Sequence, residues 1–210
     1  MSSFNTPYQY QFFDRKTALD DVVFGMSHAV RVKQTHSAAC VVIDRPFADG
    51  QWVEADALVT RTPNIPIGVI TADCAPIILI GDGVVAIIHA GWQGAVNGIV
   101  ENTVSAMDCD PSTIQAFIGP CIAQGSYEVS KGFEKPFVEA HPEAIEFFSK
   151  KNDEKLLFDL KSYCVFRLSL ASVRDVEVSN IDTLTDENYH SHRGGATSKD
   201  RNLSATMING

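Results

Sequence analysis

Two imidazoles and a thiol, His36, Cys74 and His89, are the side chains whose surroundings best suit chemistry. They stand in Gln34-Thr35-His36-Ser37, Thr71-Ala72-Asp73-Cys74-Ala75-Pro76 and His89-Ala90-Gly91-Trp92-Gln93-Gly94. Two histidines and one cysteine match catalytic zinc sites that keep a fourth position open for water. Bound zinc lowers the pKa of such a water to about 7. The same residues allow another chemistry, in which His89 activates Cys74 as a thiolate nucleophile. A third reading is structural, with a buried Cys and a satisfied strand-end His. Asp73 and Glu54 lie near the trio in sequence and are candidates to orient a ligand or carry a proton. Arg193 and Arg201, beside Gly194-Gly195 and Asn202, suit bidentate recognition of phosphate or carboxylate. Glu128, in Ser126-Tyr127-Glu128-Val129, is a candidate substrate-binding carboxylate.

These residues need a scaffold, and the chain is long enough to supply one. Its 210 residues suit one domain, read here as 1–210, with no linker or repeat to divide it. The net charge of −9 opposes nucleic-acid and acidic-membrane partners and leaves room for a small anionic substrate in a local basic pocket. Five cysteines, with no CxxC pair, point to a reducing compartment, so the cytoplasm is expected. The N-terminal residues show no apolar signal-peptide core, and polar residues and glycines interrupt the apolar stretch 65–88, so no membrane span is expected.

Apolar runs predict strands at 41–43, 57–60, 67–70, 114–118, 176–179 and 203–208, with 77–88 a hairpin about Gly81-Asp82-Gly83. Helical spacing follows Gly91 through Val96, Ile99, Val100, Val104 and Met107. Further helices are expected over 133–140, 142–151 and 158–173. His89 then ends a strand just before a helix, whose N-terminal N–H groups would suit an anion. Strands and helices without strict alternation predict α+β layers.

The motifs Glu54-Ala55-Asp56-Ala57-Leu58-Val59-Thr60, Thr71–Pro76, His89–Trp92, Ile118-Gly119-Pro120 and Ser126–Val129 occur in an order that resembles the YfiH family. That family is also called multicopper polyphenol oxidase (laccase-like) or peptidoglycan-editing factor. Gln34–Ser37 resembles its QxH motif, and Ser191-His192-Arg193 with Arg201 resembles its C-terminal arginine segment. The match covers about residues 30 to 208.

The resemblance implies a four-layer α/β/β/α sandwich with mixed sheets, similar to cytotoxic-necrotizing-factor deamidases. It implies that His36, Cys74 and His89 bind zinc, with copper the other candidate. It also implies a small-molecule substrate, either a purine nucleoside with phosphate or a UDP-muramyl precursor. The implied activities are phosphorolysis of adenosine, inosine or methylthioadenosine, and adenosine deamination. The alternatives are a Cys–His amidase that edits peptidoglycan precursors, a laccase-like oxidase, and a non-catalytic metal-binding protein. The chain departs from the family in two places: the segment before Gln34 is short, and Gln93 stands where the family carries a cation beside the substrate. The six histidines include one HxH pair, His190-Ser191-His192, too few for a multicopper cluster.

Overall fold

The computed structural model describes residues 7–48 and 50–210. The first six residues of the segment read for a leader, and Asp49, lie outside them. The apolar run 75–90 folds into the expected hairpin of β5 (Ala75–Gly81) and β6 (Val84–Ala90), with Gly83 in the left-handed region at φ 63° where a tight turn favours glycine. Before the hairpin come β1 (Tyr8–Phe12), β2 (Cys40–Ile43), β3 (Ala57–Thr60) and β4 (Ile67–Thr71). After it come α1 (Trp92–Val96), α2 (Ile99–Ala106), β7 (Gln115–Ile118), β8 (Glu128–Ser130), α3 (Lys135–Ala140), β9 (Phe148–Lys150), β10 (Lys155–Phe158), α4 (Leu160–Leu170), β11 (Asp175–Val178) and β12 (Asn202–Ile208).

Among the described residues the strands form three sheets, with orders β11-β7-β5-β6-β3-β2, β1-β12-β4 and β8-β10-β9. The first is mixed: β11–β7 and β2–β3 are parallel and its other pairs antiparallel. β5 and β6 are buried on both faces, which explains their unbroken apolar sequence. Ile77, Leu79, Ala86 and Ile88 pack with Ile99, Val104 and Leu168 on the helical side. Ile78, Ile80, Val85 and Ile87 pack with Ile67 and Val69 of the β1-β12-β4 sheet on the other. That sheet's outer face, at Ile70, Leu203 and Ala205, is covered by Phe13, Leu19, Val23, Phe24 and Ala29. The result is a layered, mixed α+β fold. Among the described residues its fourth layer is the turn-rich segment 13–30, where no helix forms.

Three expected helices differ in detail. The one after Gly91 is divided into α1 and α2 at Asn97-Gly98, because Gly98 is left-handed at φ 95°. Residues 142–151 form a 3-10 turn over Pro142–Phe147 and then β9, since Phe148 stacks on Phe158 of β10 at 4.7 Å. The helix expected from 158 begins at Leu160, where Asp159 caps it by accepting from Ser162 N at 3.0 Å.

Arg167, buried in α4, closes the break between α1 and α2. Its Nη1 donates to the carbonyls of Ala95 and Val96 at 2.5 and 3.0 Å, and its Nε pairs with Glu101. These bonds satisfy carbonyls that a continuous helix would otherwise have paired. Arg167→Met strands Glu101 and both carbonyls. It is expected to cost about 3 kcal/mol in denaturant unfolding while leaving metal content unchanged.

Candidate metal centre

The strand register builds the centre. Ala57 pairs with Ile88 in β3–β6, so the preceding residue, Asp56, falls opposite His89, and His89 N donates to Asp56 O at 2.7 Å. Residues opposite one another in a sheet share a face. The buried Asp56 carboxylate therefore meets the buried His89 ring, with Oδ1 2.8 Å from Nδ1. An ionised carboxylate only accepts, so Nδ1 carries the proton and Nε2 keeps its lone pair for a ligand or a proton.

The same carboxylate shapes the His36 loop. Asp56 accepts from the backbone N–H groups of Thr35, His36 and Ser37 at 3.2, 3.0 and 2.6 Å, and from Ser37 Oγ at 2.7 Å. Successive N–H groups make an anion-binding concavity, here filled by the protein's own Asp. His36 is left-handed, at φ 59°, a conformation disfavoured for a residue with a Cβ and held in place by these bonds. Burial pushes the Asp56 pKa up, but the bonds from His89 and Ser37 outweigh it and hold the group well below the usual carboxylate range. Gln34 fixes the other end of the loop. Its amide donates to Ile70 O and accepts from Ile70 N, both at 2.8 Å.

Cys74 lies on the short link from β4 to β5. Asp73 shapes this link at φ 83°, accepting from Thr183 Oγ1 and Arg193 N, each at 2.7 Å. Cys74 Sγ lies 3.9 Å from His36 Nε2, and the donor atoms of His36, Cys74 and His89 all fall within 4.8 Å of one another. Burial raises the Cys74 pKa, but the positive charge of His89 and hydrogen bonds from both histidines bring it below the ordinary thiol value. Burial lowers the His89 pKa, but Cys74 and Asp56 more than reverse this and raise it. The two groups favour a thiolate–imidazolium pair when no metal is bound.

The donor set suits a metal. Zinc with nitrogen and sulfur ligands sets neighbouring donors roughly 3.5 Å apart, so modest side-chain movement closes the trio around an ion. Gly91 leaves the room for this. A Cβ there would stand 2.7 Å from His36 Cδ2 and 3.2 Å from Cys74 Sγ. Its backbone, at φ −74° and ψ 164°, is one any residue adopts. Gly91→Ala is therefore expected to weaken metal binding about tenfold or more, read by chelator competition, with little change in the unfolding midpoint.

Two cavities meet at His36 and Cys74. One of about 240 Å³ is lined by His36, Cys74, Trp92, Gln93, Tyr127 and Arg193, among others. The other, of about 600 Å³, is lined by His36, Cys74, His89, Thr71, Trp52 and Arg201, among others. Gln93 and Arg193 thus line the smaller cavity and Arg201 the larger. The Arg193 guanidinium lies over the Tyr127 ring and donates to Glu128 O. The Glu128 carboxylate faces Lys151 and Lys155 and lines neither cavity. Glu54 pairs with exposed Lys33, and Asp73 holds the loop carrying Arg193, so the carboxylate that orients His89 is Asp56. That residue lies inside the EADALVT motif, but only the strand register distinguishes it from Glu54. Thr71 and His192 stand inside motifs the sequence singles out, but only the fold shows that they line a cavity, and Trp52 is marked by no motif at all.

Sequence and fold comparisons assign the chain to a family. The chain belongs to the multi-copper polyphenol oxidoreductase laccase family, whose pattern matches residues 13–209. It is 32% identical over 190 residues to a purine nucleoside phosphorylase of Corynebacterium glutamicum, covering 88% of this chain and 76% of that protein. It is 35% identical over 159 residues to one from Rickettsia prowazekii, covering 74% of this chain and 65% of that protein. An adenosine deaminase from an unknown prokaryotic organism is 42% identical over 135 residues, 59% of this chain and 49% of the deaminase. The chain thus spans just under two thirds of the Rickettsia protein and about half of the deaminase. A DUF152-family protein from Neisseria meningitidis superposes with a TM-score of 0.77 at 30% identity, covering 87% of this chain and 75% of that one. YfiH of Bacillus licheniformis gives 0.77 at 25% identity, covering 86% and 74%. No helix among the described residues is long and apolar enough to cross a membrane.

Proposed function

We propose that His36, Cys74 and His89 hold a zinc ion and that the centre acts on purine nucleosides, by phosphorolysis of adenosine, inosine or methylthioadenosine and by deamination of adenosine. The observation that carries this reading is the convergence of three donors on the wall of one cavity, with His89 oriented by Asp56. Two imidazoles and a thiolate also suit copper, but the one three-donor group among the described residues falls short of the copper cluster that multicopper oxidation needs. A zinc ion in this site supplies Lewis acidity and an acidified water. The chain's own residues supply the rest. Asp56 fixes the proton on His89 Nδ1, Trp52 and Trp92 offer flat apolar surfaces for a base, and Arg193 and Arg201 offer charge to phosphate. The names of the relatives support the substrate class. Five free thiols support a cytoplasmic setting.

Metal analysis and turnover test this reading. Purified protein is expected to carry about one zinc per chain. Incubated with adenosine and phosphate, it is expected to yield adenine, inosine or hypoxanthine on chromatography. Metal-loaded protein that leaves adenosine intact would refute the nucleoside assignment.

One observation favours a second reading. Asp56, His89 and Cys74 follow one another as orienter, base and thiolate, the order of a cysteine-hydrolase triad. An amidase acting on a UDP-muramyl precursor would use that relay. It would cleave UDP-muramyl-serine in the presence of a chelator and lose this activity in Cys74→Ser.

A further inference from the structure

Five threonines among the described residues are buried: Thr60, Thr71, Thr103, Thr183 and Thr206. Four place their hydroxyl on a partner. Thr60 donates to Ile43 O, Thr103 to Ile99 O, Thr183 to Asp73 Oδ1 and Thr206 to Gln9 O, at 2.7–2.9 Å. The hydroxyl of Thr71, a residue only 2% exposed, has no partner among the described residues. Desolvating a hydroxyl without a hydrogen bond is costly, so such a group in a folded protein calls for a reason.

Its position supplies the reason. Thr71 ends β4 on the face of Ile67 and Val69, which turns toward β6 of the larger sheet. The matching face of β6 runs through Val85 and Ile87 to His89. At this end of the sandwich the apolar layer between the sheets gives way to polar groups, with Thr71 on one sheet and His89 and Asp56 on the other. Thr71 and all three candidate ligands line the same 600 Å³ cavity.

We propose that Thr71 is a substrate-binding residue whose hydroxyl pairs with a polar atom of the nucleoside beside the metal centre, a ribose hydroxyl or a ring nitrogen. The proposal rests on the nucleoside reading given above. Binding of a nucleoside satisfies the hydroxyl, whereas an analogue without a polar atom there leaves it unpaired. The cost in the free protein is the counterpart of that selectivity, since stability is commonly given up where a site is pre-organised for a ligand.

The test uses Thr71→Val, which keeps the shape and removes the hydroxyl, and Thr71→Ser, which keeps the hydroxyl. Adenosine is the probe. Its affinity is measured by calorimetry on metal-free and metal-loaded protein, alongside KM and kcat, zinc content and thermal midpoint. Thr71→Val is expected to raise the adenosine Kd and KM about five- to tenfold, with zinc content unchanged and a thermal midpoint equal to or above wild type. Thr71→Ser is expected to restore most of the affinity. A merely structural threonine would give the opposite pattern, with unchanged binding in Thr71→Val. Full wild-type affinity and turnover in Thr71→Val would overturn this inference alone. Wild-type protein that neither binds nor converts adenosine would overturn the nucleoside reading and this inference with it.

Discussion

Asp56→Asn is expected to weaken zinc binding by about 10- to 100-fold and to destabilise the fold by about 3–5 kcal/mol. One substitution has both effects because one carboxylate has two tasks. It fixes the tautomer of His89, and it gathers three backbone N–H groups and the Ser37 hydroxyl into the loop that presents His36. Asparagine keeps one accepting oxygen but turns a donor amide toward groups that are themselves donors. The pH dependence follows from the direction of the Asp56 shift. Its folded-state pKa lies far below the ordinary value near 3.9, because the bonds from His89 and Ser37 outweigh burial. The stabilisation is therefore complete above the unfolded-state pKa and is lost as pH falls from there through the folded-state value. Urea unfolding from pH 7 down to pH 3 should show wild type losing stability below about pH 4, with Asp56→Asn much flatter over the same window. A variant that keeps wild-type zinc affinity would show that Asp56 does not govern His89.

The second large effect is expected at Cys74. Cys74→Ala should abolish stoichiometric zinc and reduce nucleoside turnover on the order of a thousandfold or more. This variant alone does not separate a ligand from a nucleophile, because both roles end with the sulfur. Cys74→Asp does. A carboxylate oxygen is an accepted zinc ligand but a far weaker nucleophile than a thiolate toward an amide. Partial recovery of zinc and of adenosine turnover in Cys74→Asp is expected. Protein that binds zinc fully without the sulfur, or that works only as a metal-free thiol, would remove Cys74 from the ligand set. Any fall in stability should be small, because Cys74 lies on a link rather than in either sheet.

The trio was legible in the sequence because its residue types are scarce and each stands beside turn-forming or polar neighbours. The hairpin 77–88 was legible because its apolar runs are too short for helices and a glycine turn divides them. Asp56 was harder. Glu54 and Asp56 are both acids at the entrance to β3, and the sequence gives no reason to prefer either. The preference comes from the Ala57–Ile88 pairing, a contact between residues 31 positions apart. The segment 142–151 misled for a related reason. Its composition suits a helix, and only the partner strand β10 turns Phe148 into a stacking residue. Arg193 and Arg201 were visible as cations near glycines, but their placement in two neighbouring cavities depends on the return of the chain through residues 183–201.

The smaller sheet has its own consequence for how the protein is made. Its middle strand is β12, the last in the chain, lying between β1 and β4. Asn202 pairs with Thr71, so the wall facing His89 rests on residues 131 positions downstream. On the ribosome, β5 and β6 can pair and the His36 loop can close on Asp56 while β4 still lacks this neighbour. The nascent chain therefore holds potential metal ligands before it holds the cavity that would confine their substrate. Capture of the ion can precede completion of the pocket, and the order of synthesis separates the two events.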